Sequence, residues 1–267
     1  MKPLNEYKKI VILTGAGISA ESGISTFRDS QGLWEQHKIE DVATPEAFEK
    51  DPLLVWKFYS MRRLQAAKAK PNLAHLALIQ FAKAHPDVHL ITQNVDALHL
   101  RADTTHSLPP ICMHGSLHES SCSNCGIVYL DDYAYFNELG DYAPQETELC
   151  DSTQRSHQHY LHHYNLEYRN FIPLSPCCKV MIRPHIVWFG EMPQHMEKIY
   201  HQISHCDLFV SIGTSGVVYP AASFLAGAKA AGAHTVCLNK EPIPQAAFID
   251  EFIEGSATDI VPRFFRI

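Results

Sequence analysis

Several things that would place this chain quickly are missing from it. It has no excess of positive charge: 22 Lys plus Arg stand against 29 Asp plus Glu, a formal net charge of −7. That balance argues against a broad phosphate-binding face, and so against a nucleic-acid partner. No apolar run approaches the ~20 residues of a membrane span, because Lys, Arg or His interrupts each one. The opening residues, MKPLNEYKKIVILTGAG, reach a strand pattern within seven positions. They carry neither the apolar centre of a secretory signal nor the Arg/Ser-rich character of a transit peptide. Internal repeats are absent, and 46% apolar against 19% charged residues excludes a disordered chain. A globular protein of 267 residues is left, expected to be soluble and cytoplasmic, with no membrane partner.

Two residue types are plentiful instead: eight Cys and 17 His. An even cysteine count suits disulfides in a small secreted domain, but reduced thiols are the expectation here, with metal ligation where the spacing supports it. Four histidines crowd into SHQHYLHHY (His157, His159, His162 and His163) and read as a solvated loop.

Residues 8–14, KKIVILT, read as a buried strand, followed by a Gly15-Ala16-Gly17 turn leading into a helix. Asp51-Pro52 forms an N-cap and first-turn pair for a helix through LLVWKFYSMRRLQAAKA. A second helix, NLAHLALIQFAKA, lies between Pro71 and Pro86, and DVHLITQNVD reads as a strand entering a polar loop. From 179 onward come HIVWFG, DLFVSIGTS, the small-residue helix AASFLAGAKAAGA and HTVCLN. Short apolar runs alternating with helices indicate an α/β fold, a Rossmann-like parallel sheet with helices on both faces. The expected division is 1–37, 84–114 and 179–267 for the sheet unit, and 38–83 plus 115–178 for a smaller unit made of two insertions.

Gly15-Ala16-Gly17-Ile18-Ser19-Ala20 fits G-x-G-x-x-A between a strand and a helix, which suits a pyrophosphate; a plain structural turn fits as well. A hydride-transfer site also needs an acid closing a second strand some 20 residues on. The residues that follow, ESGISTFRDSQGLW, read as a loop, which counts against an NAD-dependent oxidoreductase.

The segment GAGISAESGISTFRDSQGLW (15–34) resembles the signature of the sirtuins, NAD-dependent protein-lysine deacylases. The likeness continues through TQNVDALH (92–99), HGSL (114–117), RPHIVWFGE (183–191), GTSGVVYPAA (213–222) and LNKE (238–241), in family order and along nearly the whole chain. The sequence departs at Ser25, where proline is common, and at Ala97 and Asp103, which fall in loops. The resemblance implies NAD as cofactor, acylated lysines of proteins bound as extended peptide, and a monomer. It also implies attack of the acyl oxygen on the nicotinamide ribose, release of nicotinamide, and a 2'-O-acyl-ADP-ribose product.

By the same resemblance, His114 matches the base that deprotonates a ribose hydroxyl, a task suited to an imidazole near neutrality. Asn94 and Asp96 match residues that hold the nicotinamide and its ribose. The cofactor contacts carried over are Gly15, Ala16, Gly17, Ser19, Ala20, Thr26, Trp34 and Gln93 at the first turn and the nicotinamide end. At the adenosine end they are Gly213, Thr214, Ser215, Asn239, Lys240, Glu241 and Ala257. Phe27 and Arg28 match the loop that covers the cofactor, and Val187, Phe189, Gly190 and Val218 match the substrate groove. Mono-ADP-ribosyl transfer to protein is a further activity within the family.

Tyr59 and Arg62 lie at i and i+3 of a helix, on one face. In the class III members of the family a Tyr-x-x-Arg pair at this place reads the carboxylate of succinyl-, malonyl- or glutaryl-lysine. A guanidinium forks a carboxylate and a phenol adds a donor. Arg63 at i+4 is also within reach of Tyr59, and only the resemblance prefers Arg62. The resemblance thus implies removal of acidic acyl groups, with weaker acetyl turnover; a mainly deacetylating enzyme is the alternative.

Cys122-Ser-Asn-Cys125 is half of a structural zinc site. The second half is irregular. Cys178 stands where the family's last ligand sits, with adjacent Cys177 preferred over Cys150 as its partner and a degenerate, metal-free site as the further alternative. Cys112, Cys206 and Cys237 read as small buried hydrophobes.

Overall fold

The computed structural model describes residues 2–26, 37–129 and 164–267 in full, with the backbone alone at 33–34, 130, 135–136, 142–143 and 159–160. Six parallel strands form the main sheet, in the order Glu251–Glu254, His234–Asn239, Leu208–Ile212, Ile10–Thr14, Val88–Thr92, Ile111–Cys112. Numbered along the chain this is 6-5-4-1-2-3, the doubly wound order whose direction reverses between the first and fourth strands. Both of those strands are buried along their whole length, which is why KKIVILT and DLFVSI read as continuous apolar runs.

Alternate side chains serve opposite faces. Ile10, Ile12, Val210 and Leu238 pack with Leu78 and Phe81 of the Leu73–Ala84 helix and with Ile260 and Phe264 of the Ala257–Phe265 helix. Val11, Leu13, Phe209 and Cys237 pack with Ile199 and Ile203 of Met196–His205 and with Phe224 and Leu225 of Phe224–Ala230. The expected parallel sheet with helices on both faces is therefore present.

A second core joins the Pro45–Lys50 and Pro52–Lys68 helices to a four-stranded sheet ordered His159–Tyr160, Val128–Leu130, Gly115–Cys122, Ile182–Ile186. The Trp56 indole N–H donates to the Ile182 carbonyl at 3.0 Å. Both long helices start where their caps predict. The Asp51 carboxylate accepts from Leu54 N at 2.9 Å, and Asn72 with His75 closes a capping box.

Two local readings change. The run HIVWFG is not a strand of the main sheet: Ile182–Ile186 pairs antiparallel with Gly115–Cys122 at the edge of the smaller sheet, and 187–191 is a loop. An apolar run does not reveal its partner, and Pro184, which lacks an N–H, suits an edge. The glycine turn leads not into an α-helix but into two short 3₁₀ turns, Ala16–Ile18 and Ala20–Ser22, the second ended by Gly23 at φ +86°. A helix dipole therefore adds little there.

Ala97 precedes the Leu98–Ala102 helix at φ +59°, ψ +11°, a left-handed conformation in which a Cβ costs about 1–2 kcal/mol. A glycine at this place would not meet that cost. The Ala97→Gly variant is expected to gain up to about 1 kcal/mol once the freedom of glycine in the unfolded chain is counted. Its thermal midpoint should rise by about 2–4 °C. A midpoint unchanged or lowered in thermal unfolding would contradict the strain.

Candidate active site

The site forms where the first and fourth strands of the main sheet end. Gly15 N donates to Ile212 O at 3.0 Å and Gly17 N to Gly213 O at 2.8 Å, so the turns after the two strands are laced together. A Cβ on Gly17 would fall 2.7 Å from Gly213 Cα, and one on Gly15 would fall 2.8 Å from the Gly213 oxygen. Gly213 itself sits at φ +60°. These glycines are required by one another before any ligand arrives. The crevice above this reversal of strand order is where doubly wound sheets take dinucleotides.

Gln93–Asp96 follows the Val88–Thr92 strand into the same crevice. Gln93 Nε2 donates to Thr214 Oγ1 at 3.1 Å. Asn94 Nδ2 donates to Ser19 Oγ at 3.1 Å, and the Ser19 hydroxyl also bonds the Asp96 carboxylate. Asp96 is buried, which raises its pKa; hydrogen bonds from Leu98 N and Ser19 and the charges of Arg62 and Arg101 oppose the rise. Ser19 thus brings Asn94 and Asp96 to the glycine turn.

His114 stands beside them on the loop entering Gly115–Cys122. Its Nδ1 lies 3.0 Å from the Gln93 carbonyl, so Nδ1–H donates and Nε2 keeps its lone pair. Gly115, at φ +82°, follows because a Cβ there would fall 2.0 Å from the His185 oxygen. Asn239 ties the next two strand ends, its Nδ2 donating to Thr214 O at 3.1 Å and Glu241 O at 2.8 Å. Ala257 is buried at the first turn of the Ala257–Phe265 helix, and Glu21 accepts from Thr258 N at 3.1 Å, joining that turn to the segment after the glycines. Lys240 and Glu241 are exposed, and Ala16, Ala20, Thr26 and Ser215 lie along the same turns. Phe27 and Arg28, and the side chain of Trp34, lie outside the described residues.

Among the substrate candidates, Val187 N donates to His114 O at 3.0 Å and Phe189 N to Ala43 O at 3.0 Å, so this loop runs beside His114. Gly190 takes φ +90°, and Val218 is half-buried after the Gly213 turn. Tyr59 is fully buried and Arg62 is 7% exposed. Arg62's charge acts on both Tyr59 and Asp96. Arg63 is committed elsewhere: its Nη2 donates to Ser120 Oγ at 3.2 Å and Glu119 O at 3.3 Å, and its guanidinium lies over Trp56. Arg62 and Arg63, alike in spacing, thus differ in their surroundings: the charge of Arg62 acts on Asp96, while Arg63 is tied to the Gly115–Cys122 strand.

Three features went unnoticed in the sequence. Trp188 Nε1 donates to Tyr59 Oη at 3.0 Å, and Arg183 and Glu191 form a bidentate pair beside it at 2.6 and 2.9 Å. Beneath the crevice, Thr14 bonds Thr92 and His99, and His75 approaches Ser19 at 3.5 Å. Burial lowers His75 to about 4 and His99 well below its usual value, so both stay neutral polar pins. The Asn72-x-x-His75 capping box was the one signal that could have singled out His75.

The cysteine module closes despite its irregular second half. The sulfurs of Cys122, Cys125, Cys177 and Cys178 all lie within 4.8 Å of one another. Tetrahedral zinc at about 2.3 Å from each thiolate places sulfurs about 3.8 Å apart, so the set fits one structural zinc. The adjacent ligands lie in a tight loop, in which Lys179 takes φ +56° and Ser175 N donates to Val180 O at 2.7 Å. Tyr129 Oη donates to Cys177 Sγ at 3.1 Å and Asn124 Nδ2 to Cys178 Sγ at 3.5 Å, both suited to a thiolate. Cys150 and the side chains of His157, His159, His162 and His163 lie outside the described residues. Cys206 and Cys237 are buried, and Cys112 is half-buried against the loop carrying Asn94 and Asp96.

Fold and site together define a dinucleotide-binding α/β protein with a cysteine-rich smaller unit. Comparison with known proteins makes this particular. The Sir2 family profile matches residues 15–220. An NAD-dependent protein deacylase of Escherichia coli O6:H1 is 44% identical over 264 residues, covering 97% of this chain and 83% of its own. One of Vibrio vulnificus (strain YJ016) is 46% identical over 265 residues, covering 96% and 92%. A solved Sir2 homologue–NAD complex superposes with TM-score 0.77 at 33% identity, covering 98% of this chain and 90% of that one. The chain belongs to the Sir2 family.

Burial lowers the pKa of His114 below the ordinary histidine value, and the hydrogen bond to Gln93 only partly offsets it. A base acts in its neutral form, so a lowered pKa keeps it active to lower pH. With His114 Nε2 as that base, the acid limb of kcat/KM lies below the 6.5 of a free histidine and vanishes with the activity in His114→Ala. An acid limb above that value would contradict the assignment.

Proposed function

We infer that this protein is an NAD-dependent protein-lysine deacylase, and we propose that it prefers acyl chains ending in a carboxylate. The cofactors are NAD and one structural zinc ion, held by Cys122, Cys125, Cys177 and Cys178. NAD, when bound, supplies the ribose carbon that accepts the acyl oxygen and the nicotinamide that leaves. The chain's own residues position and deprotonate. Asn94 and Asp96, oriented by Ser19, hold the nicotinamide end; Thr214 and Asn239 shape the adenosine end. His114 Nε2 takes the proton from a ribose hydroxyl while Nδ1 stays fixed on Gln93.

The proposed NAD-binding unit comprises 1–37, 84–114 and 179–267, and the smaller unit 38–83 and 115–178, with Ile182–Ile186 lent to the smaller sheet. The acylated lysine is expected to enter beside the 187–190 loop and Val218 as part of an extended peptide. No helix among the described residues is long and apolar enough to cross a membrane, which agrees with a protein acting on other proteins in water.

The acyl preference rests on one observation: a buried Arg62 shares a helix face with a buried Tyr59 and acts electrostatically on Asp96. A buried guanidinium is costly unless an anion answers it. The charge of Arg62 acts on Asp96 across the site, and an incoming carboxylate is proposed to meet it in forked geometry with the phenol. An acetyl group leaves the reader unused but is not blocked by it.

The Arg62→Met variant is expected to lose roughly a hundredfold in kcat/KM on succinyl-lysine peptide, the worth of a forked charge-assisted contact, and only a few-fold on acetyl-lysine. Equal loss on both substrates would remove Arg62 as the charge reader and favour a mainly deacetylating enzyme.

A further inference from the structure

We propose that Trp188 is a positioning residue for acyl selectivity: its indole N–H fixes the Tyr59 hydroxyl so that the phenol proton points at the acyl carboxylate. This rests on the reading of Tyr59 and Arg62 as the carboxylate site. The indole nitrogen donates to Tyr59 Oη at 3.0 Å, with both side chains buried. An indole N–H is only a donor, so the phenol oxygen must accept here. The phenol's own proton is thereby excluded from the Trp188 side and turned elsewhere. A phenol that accepts one hydrogen bond is also a stronger donor of another. Burial raises the Tyr59 pKa, so the hydroxyl keeps its proton and remains a donor at any working pH.

Trp188 is itself held from three directions. The Arg183 guanidinium lies 3.5 Å from its ring centroid, Phe48 packs against it at 5.4 Å between centroids, and its backbone N donates to Glu191 Oε2 at 2.8 Å. Arg183 is locked in turn by its two bonds to Glu191 and a third to Ile186 O at 2.9 Å. Burial alone would raise the Glu191 pKa, but Arg183 and the Trp188 N–H outweigh it, so the carboxylate stays ionised. Phenylalanine at 188 would keep the ring stacking and the wall of the pocket but lose the N–H. The hydroxyl of Tyr59 would then rotate freely, and its directed donation would be lost.

The test is a double-mutant cycle with Trp188→Phe, Tyr59→Phe and the double variant, assayed on succinyl- and acetyl-lysine peptides beside Arg62→Met. Trp188→Phe should raise KM for the succinyl peptide about tenfold, the value of one hydrogen bond to a charged group, with kcat little changed. Acetyl turnover should fall far less. The double variant should be no worse than Tyr59→Phe, because both remove the same directed bond. Losses that multiply in the double variant, or equal loss on both substrates, would overturn the proposal while a selective Arg62→Met leaves the carboxylate site standing. An Arg62→Met variant without selectivity would overturn both.

Discussion

Three glycines that cannot tolerate a Cβ hold the site together. Gly15, Gly17 and Gly213 bring the ends of the first and fourth strands into backbone contact, where any side chain would collide. Two buried apolar strands can run side by side with many different turns beyond them. Only this lacing converts their reversal of order into a narrow crevice, and it does so without ligand. The residues on the crevice rim then inherit their places. Thr214 follows Gly213 and takes Gln93, Ser19 follows the first turn and takes Asn94 and Asp96, and His114 rests on the Gln93 carbonyl. Loosening the glycine contact would move the proposed base and both nicotinamide residues together.

Around this frame, positive charge is placed deliberately. Three arginines at the junction of the two units have different tasks. Arg63 braces a helix against the smaller sheet, Arg183 braces an indole against a carboxylate, and Arg62 acts by its charge on Asp96 and Tyr59. The last is the one proposed to meet a substrate anion. An acidic chain with 22 basic residues can therefore host an anion reader without an anion-binding surface. The neutral, buried His75 and His99 fit the same economy, because they supply hydrogen bonds beneath the crevice without adding charge to it.

Most of the fold was legible in the sequence because its signals are local. Continuous apolar runs mark doubly covered strands, and Asp51-Pro52 and the stretch after Pro71 mark helix starts. What misled was partner choice: HIVWFG has the composition of a strand of either sheet, and only the close approach of Gly115 to His185 decides which. The glycine turn was open in the sequence between a pyrophosphate cradle and a plain structural turn; its glycines meet Gly213, a contact nearly 200 residues away that no local pattern encodes. Arg62 and Arg63 are indistinguishable by spacing, since both reach Tyr59 along a helix; the bonds of Arg63 to Glu119 and Ser120, a contact far away in sequence, are what no spacing encodes. The zinc ligands were legible at Cys122 and Cys125 and ambiguous beyond. That the sulfurs of adjacent Cys177 and Cys178 both join the cluster is a matter of loop geometry that the spacing does not encode.

The central claim is that this crevice spends NAD only when an acyl-lysine is present, and most readily when the acyl chain is acidic. The direct measurement is nicotinamide release from NAD with matched acetyl-, malonyl-, succinyl- and glutaryl-lysine peptides. The account predicts no release without acyl peptide, slow release with the acetyl peptide and the fastest release with an acidic one. Release faster with acetyl than with every acidic chain would contradict the carboxylate reader. Appearance of the reduced-nicotinamide absorbance in place of free nicotinamide would contradict the deacylase itself.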